Sequence, residues 1–255
     1  MVRVGCPSHN CGGRCLLRVH LKDGVIARIE TDDRPGDTVS DPQLRACIRG
    51  RSYRHRQYHK DRLRYPLKRV GERGSGDFER ISWDEATDMM AENIQRIREQ
   101  YGNTSIYIPY GTGSYNQTNG KWPADRLMHM YGGALGYYNS YSWACITRAT
   151  ATVYGTDVCG NQRQDWLNSQ FIIMWGWNPS EMRDGTNSEY FLKEARKKGA
   201  RIICIDPRMT MSAVALADEW IAIRPGTDVA LMSAMAWVMI TEGLYDKDFV
   251  DKYCM

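Results

Sequence analysis

The chain has 255 residues, of which 42% are hydrophobic and 11% aromatic, with a formal net charge of +4. That length holds one large domain or two modest ones, and the apolar content supports a packed core, which excludes a disordered or low-complexity chain. Crossing a bilayer takes roughly 18 consecutive apolar residues, and the longest run, Val229 to Ile240, falls short.

The first fifty residues carry the sharpest signal. Cys6, Cys11 and Cys15 lie close together, and Cys47 follows after one hairpin-sized excursion. Three clustered thiolates and a distant fourth suit a 4Fe–4S cluster, whose four iron corners a single short loop does not reach. A structural zinc site shows tidier Cys-x2-Cys pairs and ranks second. Disulfides rank last, because eight cysteines in 255 residues are too sparse for a disulfide scaffold. Cys145, Cys159, Cys204 and Cys254 are scattered, and packing is their expected role.

Leu16 to Leu21 and Val25 to Glu30 alternate apolar and polar residues around Lys22-Asp23-Gly24, which predicts a β-hairpin between the cysteine ligands. From Arg45 to Arg69 there are ten Lys or Arg, two His and one acid, Asp61, with Tyr53, Tyr58 and Tyr65 interleaved. Alone, that composition would suit a nucleic-acid groove. The rest of the chain is near neutral or acidic, so solvated surface, or cations beside a phosphorylated cofactor, is preferred and no nucleic-acid partner is expected. After a Gly-rich turn at residues 71–76, Ser82-Trp83-Asp84-Glu85 reads as a capping box, and the apolar spacing from Ala86 to Ile97 predicts a helix ending near Gly102. Ser105 to Tyr110 reads as a buried strand, and Trp122 to Met130 as a short helix closed by Gly132-Gly133.

Farther on, Phe171 to Trp175 and Arg201 to Ile205 are apolar runs flanking an amphipathic helix, Ser188 to Lys198. That is a βαβ unit with a parallel sheet. A third strand, Trp220 to Arg224, leads through Pro225-Gly226-Thr227-Asp228 into a helix to about Glu242, with Thr227 as its N-cap and Asp228 in its first turn. The strands end in Gly176-Trp177-Asn178-Pro179 and Asp206-Pro207-Arg208, turns that the topology of such sheets gathers at the ligand-binding carboxyl edge. At such an edge an Asp can accept hydrogen bonds from guanine or ribose, and Arg208 and helix-start amides can hold phosphate; any one of these turns alone reads as plain loop chemistry, and three at successive strand ends shift the balance. The Gly-x-Gly-x-x-Gly fingerprint is absent, so an ordinary NAD or FAD site is not supported.

With these features in place, Arg45-Ala46-Cys47-Ile48-Arg49-Gly50-Arg51-Ser52, Asp61-Arg62-Leu63-Arg64-Tyr65-Pro66, Ile81-Ser82-Trp83-Asp84-Glu85-Ala86, Tyr110-Gly111-Thr112-Gly113, Ile205-Asp206-Pro207-Arg208 and Ile223-Arg224-Pro225-Gly226-Thr227-Asp228 occur in the order of a known family. The chain resembles the N-terminal part of the catalytic subunits of the dimethyl sulfoxide reductase family, the bacterial bis(molybdopterin guanine dinucleotide) oxidoreductases. The resemblance implies an α/β fold, with a small N-terminal β-rich iron–sulfur domain followed by α/β domains with a parallel sheet. Residues 1–65 would form the cluster domain, residues 66–166 an α/β domain contributing the molybdenum ligand, and residues 167–255 a truncated dinucleotide-binding domain.

Carried over by residue, Cys6, Cys11, Cys15 and Cys47 would ligate the 4Fe–4S cluster, and Arg49 would relay electrons between the cluster and the nearer pterin. Tyr137-Tyr138-Asn139-Ser140-Tyr141-Ser142 is similar to the stretch ending in the protein ligand to molybdenum. The flanking Tyr-Ser pattern, similar to the subfamily's, makes Ser142 the expected ligand and Cys145 its rival; an alkoxide there would be a hard donor suited to a high-valent metal. Tyr115 resembles an active-site tyrosine of some members. The molybdenum-bis(molybdopterin guanine dinucleotide) would rest on Trp175, Gly176, Asn178, Glu181, Asp206, Arg208, Gly226, Thr227 and Asp228.

The implied reaction is oxygen-atom transfer from an S-oxide or N-oxide in anaerobic respiration. Electrons would come from an iron–sulfur subunit and a quinol-oxidising membrane anchor. The expected location is periplasmic, or the outward face of the cytoplasmic membrane, peripheral through those partners. No leader precedes Met1, so an export signal would have been removed or never present. Two features depart from the family: the first cysteine gap is four residues where close members have three, and members are roughly three times as long. The chain is therefore expected to be an N-terminal fragment, inactive alone. A selenate or other oxyanion reductase, or a non-catalytic iron–sulfur carrier, is the alternative.

Overall fold

A computed structural model describes residues 1–7, 15–109, 121–138, 141–157, 159–181 and 186–254, without the side chains of Tyr141 and Ser142. The chain divides into two compact units, Met1–Asn161 with Asp184–Asn187, and Gln162–Arg183 with Ser188–Met255. Among the described residues no helix is long and apolar enough to cross a membrane.

The first unit opens with an antiparallel sheet of β1 (Val2–Gly5), β2 (Leu16–Lys22) and β3 (Val25–Thr31), in that order. The expected hairpin forms where predicted. Asp23 and Gly24 turn the chain at φ 51° and 77°, the left-handed pair that matches strand twist in a two-residue turn. Alternation puts Leu17, Val19 and Ile29 on the inward face, where Cys6, Ile26, Ala46 and Tyr53 pack against them. Next come two short helices, α1 (Ile48–Arg51) and α2 (Tyr53–Gln57).

Part of the basic, tyrosine-rich run is used up here in holding the fold together. Arg54 donates to the carbonyl of Ala27 at 2.6 Å, and the Tyr58 hydroxyl accepts from the Ile26 amide at 2.8 Å, which ties α2 to β3. Farther along, Arg80 stacks its guanidinium 3.3 Å from the centre of the Tyr65 ring.

A small hairpin of β4 (Leu67–Arg69) and β5 (Phe78–Arg80) precedes α3 (Trp83–Tyr101). Ser82 caps α3 as its motif predicts, accepting from the Glu85 amide at 3.0 Å. Gly102, at φ 78°, ends it. The buried strand expected over Ser105–Tyr110 does not form: Asn103–Ser105 is a 3-10 turn, Tyr107 makes an isolated bridge to Leu135, and Tyr110 lies outside the described residues. Tyr107 is 53% exposed, so no core rewards longer pairing. The unit continues with α4 (Lys121–Met130), as predicted, and α5 (Tyr141–Tyr154), which was not foreseen.

The second unit holds β6 (Phe171–Trp175), α6 (Ser188–Lys197), β7 (Arg201–Ile205), α7 (Met211–Leu216), β8 (Glu219–Ile221), α8 (Asp228–Thr241) and α9 (Lys247–Tyr253). β6, β7 and β8 pair in parallel, in that order, with Trp175 opposite Ile205 and Ile205 opposite Ile221. Met174, Leu192, Ile202, Cys204, Ala213 and Leu216 form the core under the sheet.

The third strand is shorter than the predicted Trp220–Arg224. Its partner β7 ends at Ile205, and Pro225 has no amide to extend a ladder. Of the cysteines expected to serve packing, Cys204 does so, and its burial pushes the thiol pKa up. Cys145, Cys159 and Cys254 are exposed instead, because they lie on a helix face, in a loop and at a helix end with little packed against them. α8 is apolar on every side and has no buried residue, with Val229, Trp237 and Ile240 all more than half exposed.

Candidate functional site

Three of the four predicted cluster ligands meet at one end of the β1–β2–β3 sheet. Cys6 directly follows β1 and Cys15 directly precedes β2, and the Cys6 amide donates to the Cys15 carbonyl at 2.8 Å, carrying the ladder on between the two thiols. Cys47 stands at the start of α1, and its side chain makes no capping hydrogen bond. Gly50 lets that helix approach: a Cβ there would lie 3.2 Å from Cys6 Sγ and 3.6 Å from Leu17 and Ala46. All three cysteines are half-buried, and Cys15 Sγ lies 3.5 Å from Thr186 Oγ1.

Cys11 lies outside the described residues, and among the described residues no group of three or more His, Cys, Asp or Glu is arranged to hold a metal ion. The donor chemistry fits a thiolate-bound cluster: soft sulfur ligands, half-buried, brought from three element ends to one place. Arg49 follows Cys47 by two residues on α1 and is exposed.

The strand ends of the second unit gather the predicted cofactor residues. Gly176 leaves β6 at φ 56°, its amide donating to the Ile205 carbonyl at 2.8 Å. Trp175 Nε1 donates to Asp228 Oδ1 at 2.8 Å, so the indole at the end of β6 reaches the first turn of α8. Glu181 and Arg208 face each other across the β6 and β7 ends at 3.8 Å, both well exposed, a spacing at which an ion pair contributes little. Asp206 turns its own chain by accepting from the Arg208 amide at 2.9 Å, while its carbonyl takes the Trp220 indole proton at 2.9 Å.

Arg224-Pro225-Gly226-Thr227 closes with the Thr227 amide donating to the Arg224 carbonyl at 3.1 Å and Gly226 at φ 81°, the signature of a type II turn. Thr227 sits at the predicted cap position of α8 but does not cap it. Its hydroxyl donates to the Arg224 carbonyl at 2.7 Å, because the tight turn brings that carbonyl nearer than the helix amides.

Sequence reasoning missed the residue that braces this edge. Ser212, at 0% exposure, donates to Asn178 Oδ1 at 2.6 Å and accepts from the Ser180 amide at 2.8 Å. The carboxamide oxygen of Asn178 is thereby committed, and its NH2 is the group it offers a ligand. Thr210, whose hydroxyl accepts from the Ala213 amide at 3.1 Å, caps α7 and aims Ser212. A Thr ahead of an apolar helical run was a readable start signal; nothing in the sequence marks Ser212.

The residues expected beside molybdenum are less fully placed. Ser142 lies in the first turn of α5, its side chain outside the described residues, and Cys145, the rival ligand, follows one turn later on the same helix. Tyr115 and the Gly111-Thr112-Gly113 stretch lie outside the described residues altogether.

A parallel α/β sheet with polar turns at its carboxyl edge has the architecture of a ligand-binding α/β fold, and the other unit brings soft thiol donors to one sheet end, the donor set of an iron–sulfur protein. The comparisons with known proteins make this specific. The family described as molybdopterin oxidoreductase matches residues 62–250, and the molybdopterin oxidoreductase Fe4S4 domain matches residues 2–59. The chain belongs to the molybdopterin oxidoreductase family, and a 4Fe–4S cluster and molybdopterin are the cofactors of its two matched parts.

Among curated proteins it is 49% identical to the putative dimethyl sulfoxide reductase chain YnfE of Escherichia coli, over 98% of this chain and 32% of that protein. It is also 49% identical to the dimethyl sulfoxide reductase DmsA of Escherichia coli, over 96% of this chain and 31% of DmsA. The perchlorate reductase subunit alpha of Dechloromonas aromatica is 35% identical over 93% of this chain and 25% of its own length. Among solved structures, acetylene hydratase from Pelobacter acetylenicus superposes with a TM-score of 0.64 at 27% identity, covering 96% of this chain and 33% of that one. The chain thus spans about a third of the length of these two dimethyl sulfoxide reductase relatives.

Proposed function

We propose that this chain is the N-terminal portion of the catalytic subunit of an anaerobic reductase that removes an oxygen atom from a small S-oxide or N-oxide of the dimethyl sulfoxide type. The observation that carries the substrate class is the 49% identity to proteins named dimethyl sulfoxide reductases over nearly the whole chain, against 35% to the perchlorate reductase subunit. When bound, the molybdenum cofactor supplies two-electron oxygen-atom exchange, and the protein supplies position and electrostatics.

Each part of this chain has a share in that work. Cys6, Cys11, Cys15 and Cys47 hold the cluster through which electrons enter, and Arg49 lies on the path from it. Ser142 provides a hard oxygen donor to the metal, and Tyr115 a phenol at the active site. The strand-end turns hold the guanine dinucleotide: Asp206 and Asp228 are the carboxylates available to guanine or ribose, Arg208 the cation available to phosphate, and Gly176 and Gly226 the backbone bends that permit close approach. The partners in this reading are an iron–sulfur subunit and a quinol-oxidising membrane anchor, with the catalytic subunit on the outward face of the cytoplasmic membrane.

The test is to assay the anaerobically purified intact enzyme with reduced viologen against dimethyl sulfoxide, trimethylamine N-oxide, selenate and perchlorate. Turnover of the first two, with molybdenum and about four irons in the N-terminal cluster, is the expected result. Preference for the oxyanions moves the protein to the perchlorate reductase branch, and iron without molybdenum makes it an electron carrier.

A further inference from the structure

From Asp32 to Ala46, between β3 and Cys47, the chain runs with neither strand nor helix. Loops of this length in compact domains are uncommon and need ties of their own. Here the ties meet at two carboxylates: Asp37 accepts from the Gln43 amide at 3.0 Å and pairs with Arg45, while the buried one is Asp32. The side chain of Asp32 is 0% exposed. Its Oδ2 accepts from the Leu44 amide at 2.8 Å and from Arg34 Nε at 2.7 Å, and its Oδ1 accepts from the Arg34 amide at 3.1 Å.

Around this centre Arg34 donates to the Pro42 carbonyl at 3.0 Å, and Gln43 Nε2 donates to the Arg34 carbonyl at 2.8 Å. The neighbouring Thr31 hydroxyl accepts from the Ala46 amide at 2.6 Å.

These bonds meet the cysteines on both sides. The amide of Leu44 is held by Asp32, while its carbonyl accepts from the Leu16 amide at 3.1 Å, directly after Cys15. Ala46, held by Thr31, directly precedes Cys47. The end of β3 is thus linked to the residue before Cys47 by the Ala46 amide on Thr31, and to the residue after Cys15 by a relay in which Asp32 accepts from the Leu44 amide and the Leu44 carbonyl accepts from the Leu16 amide.

We propose that Asp32 is a positioning residue for the iron–sulfur site: its carboxylate, with the Thr31 hydroxyl beside it, fixes the loop that delivers Cys47 to the sheet end occupied by Cys6 and Cys15. This rests on the reading of these cysteines as cluster ligands. An ionised carboxylate is required because three N–H groups converge on it and it has acceptors alone to offer, whereas an amide would turn an NH2 group toward one of them. Burial works against its ionisation, and the bonds from Leu44 and Arg34 outweigh that, leaving its pKa below the usual carboxylate value. Removing support of this kind from a metal ligand typically weakens metal retention by about 10–100-fold.

The experiment compares the anaerobically purified intact enzyme with its Asp32→Asn, Thr31→Val and Thr31→Ser variants. It reads cluster iron, the spin-resonance spectrum and midpoint potential of the reduced cluster, and the rate of iron release to a chelator. The expected result is release faster by about 10–100-fold in Asp32→Asn, with a shifted potential and an altered spectrum. Thr31→Val should move the same way by less, and Thr31→Ser should match the unmodified enzyme. A cluster in the unmodified enzyme with no change in Asp32→Asn or Thr31→Val overturns the positioning role and leaves the ligand assignment standing. No cluster in the unmodified enzyme overturns both. Should Asp32→Asn fail to fold, the Thr31 pair decides: faster release in Thr31→Val with recovery in Thr31→Ser supports the proposal, and equality of the two sinks it.

Discussion

Deleting one hydroxyl, Ser212→Ala, measures how far the ligand edge of the second unit depends on a brace that no motif announces. Ser212 is 0% exposed and makes two bonds, to Asn178 Oδ1 at 2.6 Å and from the Ser180 amide at 2.8 Å. Alanine keeps the shape and leaves almost no cavity, so the loss is polar. The Ser180 N–H and the Asn178 oxygen both lose their partner, and a donor or acceptor left unsatisfied in the interior costs about 1–3 kcal/mol. At roughly 2–4 °C per kcal/mol for a chain of this size, the melting temperature should fall by about 2–12 °C.

Differential scanning fluorimetry of the intact protein gives the number, with Ser233→Ala on the exposed face of α8 as the control, expected within about 0.5 kcal/mol of the parent. A double-mutant cycle with Asn178→Ala adds a second criterion, because residues sharing a hydrogen bond couple by about 0.5–3 kcal/mol. If Ser212→Ala melts with its parent and the cycle is additive, the two bonds do not brace the turn and the account of this edge is wrong.

Three further outcomes follow from the same geometry. Gly176→Ala should destabilise by about 1–2 kcal/mol, since at φ 56° a Cβ is penalised by the backbone alone while nothing lies within 4 Å of it; urea midpoints measure it. Gly50→Ala should cost about 1–3 kcal/mol by overpacking, because the new methyl sits 3.2 Å from Cys6 Sγ, and cluster iron per chain should fall with it. Glu30 and Asp33 have carboxyl pKa values held low, first by hydrogen bonds from His20 and Arg3 respectively, and Asp32 has its value lowered by the bonds that outweigh its burial. Groups whose folded pKa is depressed contribute stability that is fully present above the unfolded value of roughly 4 and is lost as pH falls through the folded values. The melting temperature should therefore be insensitive to these groups at neutral pH and fall below about pH 4, and Asp33→Asn should flatten part of that fall.

What was legible in advance was whatever the sequence states locally. The β2–β3 hairpin is announced by alternation around Asp23-Gly24, α3 by Ser82 and its capping box, and the βαβ unit by two apolar runs of strand length around an amphipathic helix. The errors arise where a distant partner decides. Ser105 to Tyr110 has strand composition, yet a strand exists only where a neighbouring one pairs with it, and here Leu135 supplies a single bridge. β8 stops at Ile221 because β7 stops at Ile205, a fact about another segment. Thr227 is a local exception: it has an N-cap's side chain, but its hydroxyl donates to the Arg224 carbonyl three residues back in the same turn.

The same division explains why chemistry-bearing residues were easier to name than the residues that aim them. A cysteine, an Asp-Pro-Arg turn or a Pro-Gly-Thr-Asp turn is conspicuous by type, because few side chains can do its chemistry. Asp32 and Ser212 belong to residue types that populate every loop and helix start, and they matter for where their oxygens point. Asp32 acts on the Leu44 amide twelve residues away, and Ser212 on the Ser180 amide thirty-two residues away. No periodicity or short motif encodes separations of that kind. Both are buried acceptors that satisfy backbone amides in irregular segments. A segment without a ladder must find its hydrogen bonds in side chains or leave buried donors unpaired. The 15 residues from Asp32 to Ala46 and the turn after β6 are such segments, and each leads to or carries residues proposed for the site: Cys47 in one case, Asn178 and Glu181 in the other. Where a fold presents its chemistry on irregular backbone, the stabilising side chain belongs to the functional apparatus as much as the ligand does, and it is found by asking which buried oxygen takes the loop's amide protons.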